Sequence, residues 1–172
     1  VSMVCNLTVG KKGYEAAQEE MRRILARSEA LRAELAQLLE ADTRAYERVM
    51  AAYRLPRRTA EERAAREEAI QAALVEASEA PLGIAACCAE VAALALPAAE
   101  LGNRWAVSDA GVGALLATAC LEGALLNITI NLASIRDAAY AQRARERMAA
   151  LTASKDELRA RVLALVNERI AA

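Results

Sequence analysis

Apolar residues recur at helical spacing along most of the chain, and this pattern predicts helices throughout. The run Val1–Val9 is apolar and ends at "GKKGY", which is typical of the last turns of a buried helix. From Glu15 to Tyr53, charged and apolar residues alternate with a helical period and without Gly or Pro. This stretch predicts one long amphipathic helix. Pro56 ends it, because the residue before a proline avoids the helical conformation.

The middle of the chain begins with a capping signal and then loses its charges. Thr59 followed by Glu62 has the capping-box spacing, so a charged surface helix is predicted to start there. That helix is predicted to end before Pro81. From Pro81 to Leu101 nearly every residue is apolar. Pro97 is predicted to kink or divide this stretch, because proline has no N–H group to donate.

A second apolar helix and a last amphipathic helix complete the pattern. Gly102 stands where a helix C-cap is usual, and the residues from Asn103 to Ser108 read as a connector. Ser108 or Asp109 is predicted to cap an apolar helix over Ala110–Ile135. The rest of the chain, from Asp137 onward, predicts a single amphipathic helix.

The pattern predicts an all-α fold, a helical bundle with long amphipathic helices around two apolar central helices. Residues 1–172 form one domain by length, and neither strand alternation nor an internal repeat is visible. A helix that is apolar all round must be covered on every side, so a homo-oligomer is expected. Glu90, Glu122, Asn127 and Asn131 interrupt the two apolar runs. They favour a soluble bundle over membrane insertion, because intramembrane polar groups are costly.

The amino-acid composition excludes several kinds of catalytic and metal-binding site. The chain has no histidine, which excludes Ser/His/Asp and Cys/His catalysis and zinc sites with His ligands, and we expect no metal. The four cysteines lack C-x-x-C spacing and predict reduced, buried thiols. With no signal peptide in view, we expect a cytoplasmic protein. A net charge of −1 gives no reason to expect nucleic acid as a partner.

One carboxylate stands where the pattern asks for an apolar residue. A seam with steps of four and three residues passes through Asp42 and Tyr46, between apolar members at Leu35, Leu39, Val49 and Tyr53. A buried carboxylate must either pair with a cation or hold its proton with a raised pKa, and the second property suits a general acid. Both interpretations, structural and catalytic, are open. Tyr46 can orient Asp42 or simply pack.

Other polar positions carry similar alternatives. Asn103, Ser108 and Asp109 surround a helix start whose N–H groups can receive an anionic atom, or they are ordinary caps. Asn127 and Asn131 share a helix face, and buried amides either bond across the bundle or bind a ligand.

Two basic groups can meet a carboxylate ligand or remain solvated. One is the pair Lys11 and Lys12, and the other consists of Arg54, Arg57 and Arg58 around Pro56.

Five segments in this order resemble the cyclodeaminase/cyclohydrolase family: "NLTVGKKGY", "EADTRAYERVMAAYRLP", "APLGIA", "GNRWAVSDAGVGA" and "EGALLNITINL". The resemblance implies an all-α homodimeric enzyme that acts on one-carbon units of tetrahydrofolate and needs no cofactor beyond this folate substrate. Family members usually carry a "PGGGS"-like segment before the first helix. That segment is missing from this chain, and we expect part of the folate site to be formed by it.

The resemblance also implies roles for single residues. Asp42 matches the catalytic acid of the cyclodeaminase domain and is expected to act as general acid and base. The expected substrate-binding residues are Lys11, Lys12, Tyr46, Asn103, Ser108, Asp109, Asn127 and Asn131.

Three functions follow as expectations. The first is formimidoyltetrahydrofolate cyclodeaminase, which closes 5-formimidoyltetrahydrofolate to 5,10-methenyltetrahydrofolate with release of ammonia and would connect the protein to histidine degradation. The second is methenyltetrahydrofolate cyclohydrolase. The third is a non-enzymatic helical module that binds folate or a protein.

Overall fold

Helices account for almost all of the fold in the computed structural model, which describes residues 1–171. These residues contain no strand, which confirms the all-α prediction. The helices are α1 Ser2–Asn6, α2 Gln18–Arg54, α3 Ala60–Leu101, α4 Val107–Leu132, α5 Ala138–Thr152 and α6 Lys155–Ala171, with 3-10 turns at Glu15–Ala17 and Arg104–Ala106.

Helix α3 is the centre of the bundle, packed mainly between α2 and α4. Its sequence explains this position, because the second half is apolar on all sides and must be covered. The largest buried cluster joins Met21, Ile24 and Leu31 of α2 to Leu94 of α3 and to Val162 of α6. Helix α6 therefore closes the core although it stands last in the chain.

Helices α2 and α4 run in the same direction along α3. The hydroxyl of Tyr14, just before α2, accepts a hydrogen bond from the backbone N–H of Arg104, just before α4, at 3.0 Å. At the far end, Asp42 of α2 and Asn131 of α4 line a common pocket. One end of the bundle therefore contains the starts of α2 and α4, and the other end contains their later halves.

Helix α3 continues through both of its prolines, so the predicted end before Pro81 is wrong and Pro97 does not divide the helix. Pro81 cannot donate to the carbonyl of Ala77 one turn earlier. Instead, Nδ2 of Asn131 in α4 donates to the Ala77 oxygen at 3.1 Å. The freed carbonyl is satisfied by a neighbouring helix, which local sequence rules do not take into account.

Two further boundaries differ from the prediction. Helix α4 begins at Val107 after a 3-10 turn, so Ser108 and Asp109 lie inside its first turn and neither is its cap. Asn103 caps the 3-10 turn, since its side chain accepts from the N–H of Trp105 at 3.2 Å.

The last amphipathic segment forms two helices, α5 and α6, where one was predicted. The turn between them lets α6 reach the core. There Arg169 donates to the carbonyls of Ala99, Glu100 and Gly102 at the end of α3.

The two carboxylates that interrupt the apolar runs, Glu90 and Glu122, are paired. Glu90 accepts two hydrogen bonds from Arg27 of α2, and the guanidinium holds the pKa of Glu90 below its usual range. Glu122 accepts from Lys155 of α6. The predicted capping box of Thr59 and Glu62 is also present.

One side of α4 is apolar and uncovered. We call it the open face, and its most exposed apolar members are Val112 at 52%, Leu116 at 62%, Leu126 at 71% and Ile130 at 72% relative exposure, with Trp105 at 80% just before the helix. Both α3 and Arg104–Leu132 are long and apolar enough to cross a membrane by length and composition, as are many core helices of soluble proteins.

Candidate functional site

A pocket of about 420 Å³ opens beside the later halves of α2 and α4, within the usual volume range of small-molecule sites. Four of the predicted site residues, Asp42, Tyr46, Asn127 and Asn131, line it together. The other lining residues are Val49, Tyr53, Leu74, Ala77, Pro81, Ile130 and Ser134. A pair of tyrosines, an apolar floor and convergent polar groups suit a flat ring system with polar edges.

Asp42 is the only Asp, Glu, Lys or Arg residue among those that line the pocket. It is half-buried, and neither a lysine nor an arginine forms an ion pair with it within residues 1–171. The described residues therefore give Asp42 no arginine partner, while a structural role as a polar residue that fixes the helix register stays open. The pocket offers a single negative charge with no cation of its own.

The apolar seam around Asp42 is not buried in the chain. Leu39 is 65% exposed, Tyr46 63% and Tyr53 44%. The expectation of a carboxylate enclosed by apolar side chains is therefore wrong for this chain taken alone. The physical reason is that α2 packs against α3 on one side only, so the seam follows the rim of the pocket.

The two asparagines differ in environment. Asn131 is half-buried and uses one amide hydrogen on the Ala77 carbonyl, so its side chain is fixed in orientation. Asn127, one turn earlier, is exposed, which corrects the expectation that both amides are buried. Within the described residues Asn127 has no hydrogen-bond partner for its amide group, whereas Asn131 keeps one amide hydrogen for a ligand.

Lys11 and Lys12 lie at the opposite end of the bundle, in a loop whose shape two glycines allow. Gly10 and Gly13 have φ of +76° and +87°, a conformation that other residues rarely adopt. The N–H of Gly10 donates to Gln18 Oε1 at 2.7 Å. Both lysine side chains are exposed.

Asn103, Ser108 and Asp109 also lie at that end. Asn103 is buried and structural: its N–H donates to Thr8 Oγ1 at 2.8 Å and its Nδ2 to the carbonyl of Leu7 at 3.1 Å. Ser108 is exposed and Asp109 half-buried. Along α4, Ser108 and Asn131 are separated by roughly 35 Å at 1.5 Å per residue. The predicted site residues thus form two groups at opposite ends of one chain.

Sequence reasoning missed part of the pocket. Ser134 lies in the turn after α4, three residues beyond Asn131, and so continues the sequence spacing of Asn127 and Asn131, which could have found it. Leu74, Ala77 and Pro81 come from α3, and only the packing of three helices places them here.

Residues 1–150 match the model of a protein family described as formiminotransferase-cyclodeaminase. The chain belongs to this family. The match confirms the resemblance carried by the five segments and the class of enzyme that it implies.

Relatives of the formiminotransferase-cyclodeaminase family carry two different activities in their names. The chain is 41% identical to a methenyltetrahydrofolate cyclohydrolase of Methylorubrum extorquens, over 99% of this chain and 82% of that protein. It is 32% identical to formimidoyltransferase-cyclodeaminase of Rattus norvegicus, over 87% of this chain and only 28% of that longer protein.

A solved structure shares the fold. The crystal structure of formiminotetrahydrofolate cyclodeaminase from Thermotoga maritima superimposes with a TM-score of 0.85 at 30% identity, covering 98% of this chain and 80% of that one. The family assignment therefore rests on sequence and on fold.

Proposed function

We propose that the protein is a methenyltetrahydrofolate cyclohydrolase with Asp42 as its general base and acid. The observation that carries this is the pocket, in which one unpaired carboxylate faces two asparagines and two tyrosines. The methenyl substrate is a cation, and a pocket with a single negative charge and no basic lining residue complements it. The 41% identity to a named cyclohydrolase, over nearly the whole chain, supports this choice over the deaminase.

The proposed reaction needs only proton transfers. Asp42 takes a proton from water as the oxygen attacks the carbon between N5 and N10, which gives a neutral tetrahedral intermediate. The protonated Asp42 then returns that proton to N5 as the bond from carbon to N5 breaks. The hydroxyl proton goes to solvent, leaving 10-formyltetrahydrofolate. Asn127 and the two tyrosines would hold the ring system so that this carbon lies beside the carboxylate.

Formimidoyltetrahydrofolate cyclodeaminase is the second candidate, and the name of the Thermotoga maritima structure favours it. In that reaction N10 attacks the formimidoyl carbon on N5, and the Asp42 carboxylate would take the proton that N10 loses. Asp42 would then give this proton to the leaving nitrogen as the bond from carbon to that nitrogen breaks and ammonia leaves, so the same pocket serves either reaction.

A substrate comparison on the purified protein separates the two candidates. We expect loss of methenyltetrahydrofolate absorbance and no ammonia release from the formimidoyl substrate. Ammonia release as the main activity would select the deaminase, and turnover of neither substrate would leave a non-enzymatic folate-binding module.

The role of Asp42 has its own test. Asp42→Asn is expected to lower kcat by at least about 100-fold, the usual contribution of general acid–base catalysis. Glu47→Gln makes the same charge change at an exposed residue of α2 outside the pocket lining, and it should leave kcat unchanged. Unchanged kcat in Asp42→Asn would contradict the role.

We also propose that the protein is a homodimer that pairs through the open face. Contiguous exposed apolar surface of this kind is typical of protein–protein contacts. Ser108, Glu122 and Asn127 are exposed on the same side of α4 and favour another protein over a lipid bilayer.

A further inference from the structure

Two prolines lie inside α3, and they leave different carbonyls without the usual helical donor. A proline has no N–H for the carbonyl four residues earlier, which belongs to Ala77 for Pro81 and to Ala93 for Pro97. Ala93 is exposed, so water can satisfy its carbonyl. Ala77 is buried, and a buried carbonyl needs a partner from the protein. Only Pro81 therefore requires a donor from elsewhere in the bundle.

That donor is a side chain of the candidate pocket. Nδ2 of Asn131 donates to the Ala77 oxygen at 3.1 Å, and Ala77, Pro81 and Asn131 all line the pocket. The carbonyl can only accept, so the nitrogen of the amide must face it and the oxygen must point elsewhere. With the nitrogen fixed in this way, Oδ1 and one N–H of Asn131 are left for a ligand.

An N–H at position 81 would remove this constraint on Asn131. The helix would then satisfy the Ala77 carbonyl itself, and the amide could rotate to present either its oxygen or its nitrogen at the same place. A free amide accepts ligand donors and ligand acceptors alike, whereas a fixed amide discriminates between them. Pro81 thus determines what Asn131 offers, although the proline itself has no polar group to bind with.

We infer that Pro81 is a positioning residue for substrate recognition, because it holds Asn131 so that Oδ1 accepts a hydrogen bond from an N–H of the substrate's ring system. This inference rests on the proposed function for the substrate class, since the pterin ring of a tetrahydrofolate derivative carries an N–H beside a carbonyl. In the proposed reaction the reacting carbon lies beside Asp42. The contact with Asn131 therefore contributes to binding and not to proton transfer.

The first test needs no ligand and compares the urea unfolding of wild type, Pro81→Ala, Asn131→Ala and the double variant. Asn131→Ala is expected to lower the free energy of unfolding when Pro81 is present, because the Ala77 carbonyl then has no donor. The same change should cost much less beside Pro81→Ala, whose new backbone N–H donates to Ala77. Pro81→Val repeats the comparison with less lost volume at this buried position. Equal losses in both backgrounds would overturn the inference.

The second test measures by calorimetry the binding of 5-formyltetrahydrofolate, which carries the same ring system. Pro81→Ala is expected to raise Kd about 2- to 10-fold, the usual effect of having to immobilise one side chain, although Asn131 is intact. Asn131→Ala should raise Kd at least as much, and the double variant should bind no more weakly than Asn131→Ala. Such non-additivity identifies an effect that passes through Asn131. An unchanged Kd in Pro81→Ala, or losses that add, would contradict the positioning role.

Turnover gives a third readout, because an interaction made equally in the ground state and the transition state affects KM alone. Pro81→Ala should raise KM by about the same factor as Kd and leave kcat near wild type. A lower kcat with an unchanged KM would place the effect at the reacting carbon, and the inference would be wrong.

Pro97→Ala is the matched control, since it restores an N–H to the same helix beneath an exposed carbonyl. Its Kd and KM should stay near wild type. If wild-type protein binds 5-formyltetrahydrofolate but turns over neither folate substrate, the proposed function fails while the comparison of Kd values still decides the role of Pro81. If wild-type protein does not bind this compound, the inference fails as well.

Discussion

Asp42 is polar in an apolar pattern, and its neighbourhood explains why it remains unpaired. The exposed arginines near it are used elsewhere: Arg44 pairs with Glu40 at 3.4 Å, and Arg48 pairs with Glu76 at 2.7 Å. The carboxylate therefore faces the pocket alone. A sequence pattern can find the residue that departs from it, but whether a partner lies within reach depends on which way each neighbouring side chain points.

The cysteines give a residue-scale prediction that is independent of function. Burial raises the pKa of Cys87 and Cys88 to about 11 and also raises that of Cys5, so at pH 8 these thiols remain protonated and shielded. Only Cys120 is exposed, contrary to the predicted burial of all thiols. At most one thiol per chain should react with a disulfide reagent at pH 8 before unfolding.

Cys120→Ser is the matched control for that measurement. It should remove any fast-reacting thiol, and full reactivity of the remaining three should return only in denaturant. Two or more fast thiols in the folded wild type would contradict the described packing of α1 and α3.

At the scale of elements, the long helix α2, the capping box at the start of α3 and the apolar character of α3 and α4 could be predicted, because each depends on residues close in sequence. The helix end predicted before Pro81 was wrong because that rule, too, considers only residues close in sequence. A proline predicts a helix end when its missing donor is costly, and in α3 the donor for the Ala77 carbonyl comes from Asn131, far along the chain. The two groups of candidate residues were likewise found residue by residue in the sequence, while their separation to opposite ends of the chain could not be predicted.

The connector between α3 and α4 is close-packed, and Gly102→Ala should show it. A Cβ at this buried glycine would overlap the Ala98 carbonyl oxygen and Val4 Cγ1. We expect a loss of roughly 1–3 kcal/mol in the free energy of unfolding, the usual cost of overpacking. Urea unfolding of the purified protein measures it.

Gly113→Ala is the control, since its Cβ would meet only Val1 at an ordinary 3.5 Å. Alanine is the better helix former, so this change should be neutral or stabilising by up to about 1 kcal/mol. Equal effects of the two substitutions would contradict the packing described for the connector.

At the scale of the whole molecule, the open face of α4 is the apolar surface that a single chain does not cover. Sequence analysis predicted an oligomer because α4 is apolar on all sides, and the structure identifies which side the chain itself does not cover. What the sequence could not predict was which side of α4 is left uncovered, because this depends on how α3 and α6 pack against it.

Leu116→Glu should weaken self-association, because it places a charge in the middle of the open face. Leu116 and Ile170 of α6 are both 62% exposed, so Ile170→Glu is a matched apolar-to-charged change outside that face. Sedimentation velocity across a dilution series should show the first variant dissociating at higher concentration than wild type and the second unchanged. Identical behaviour of all three proteins would argue against the open face as the dimer contact.

The hydrogen bond from Asn131 to Ala77 also constrains how this sequence can change over time. While Pro81 is present, the Ala77 carbonyl depends on Asn131, and losing that side chain leaves a carbonyl without a partner inside the protein. Once Pro81 is replaced by a residue with an N–H, the helix can satisfy its own carbonyl and Asn131 becomes free to vary. The order of substitutions therefore matters. A lineage that replaces Pro81 first can then change Asn131 with little loss of stability, while one that changes Asn131 first must tolerate a less stable protein.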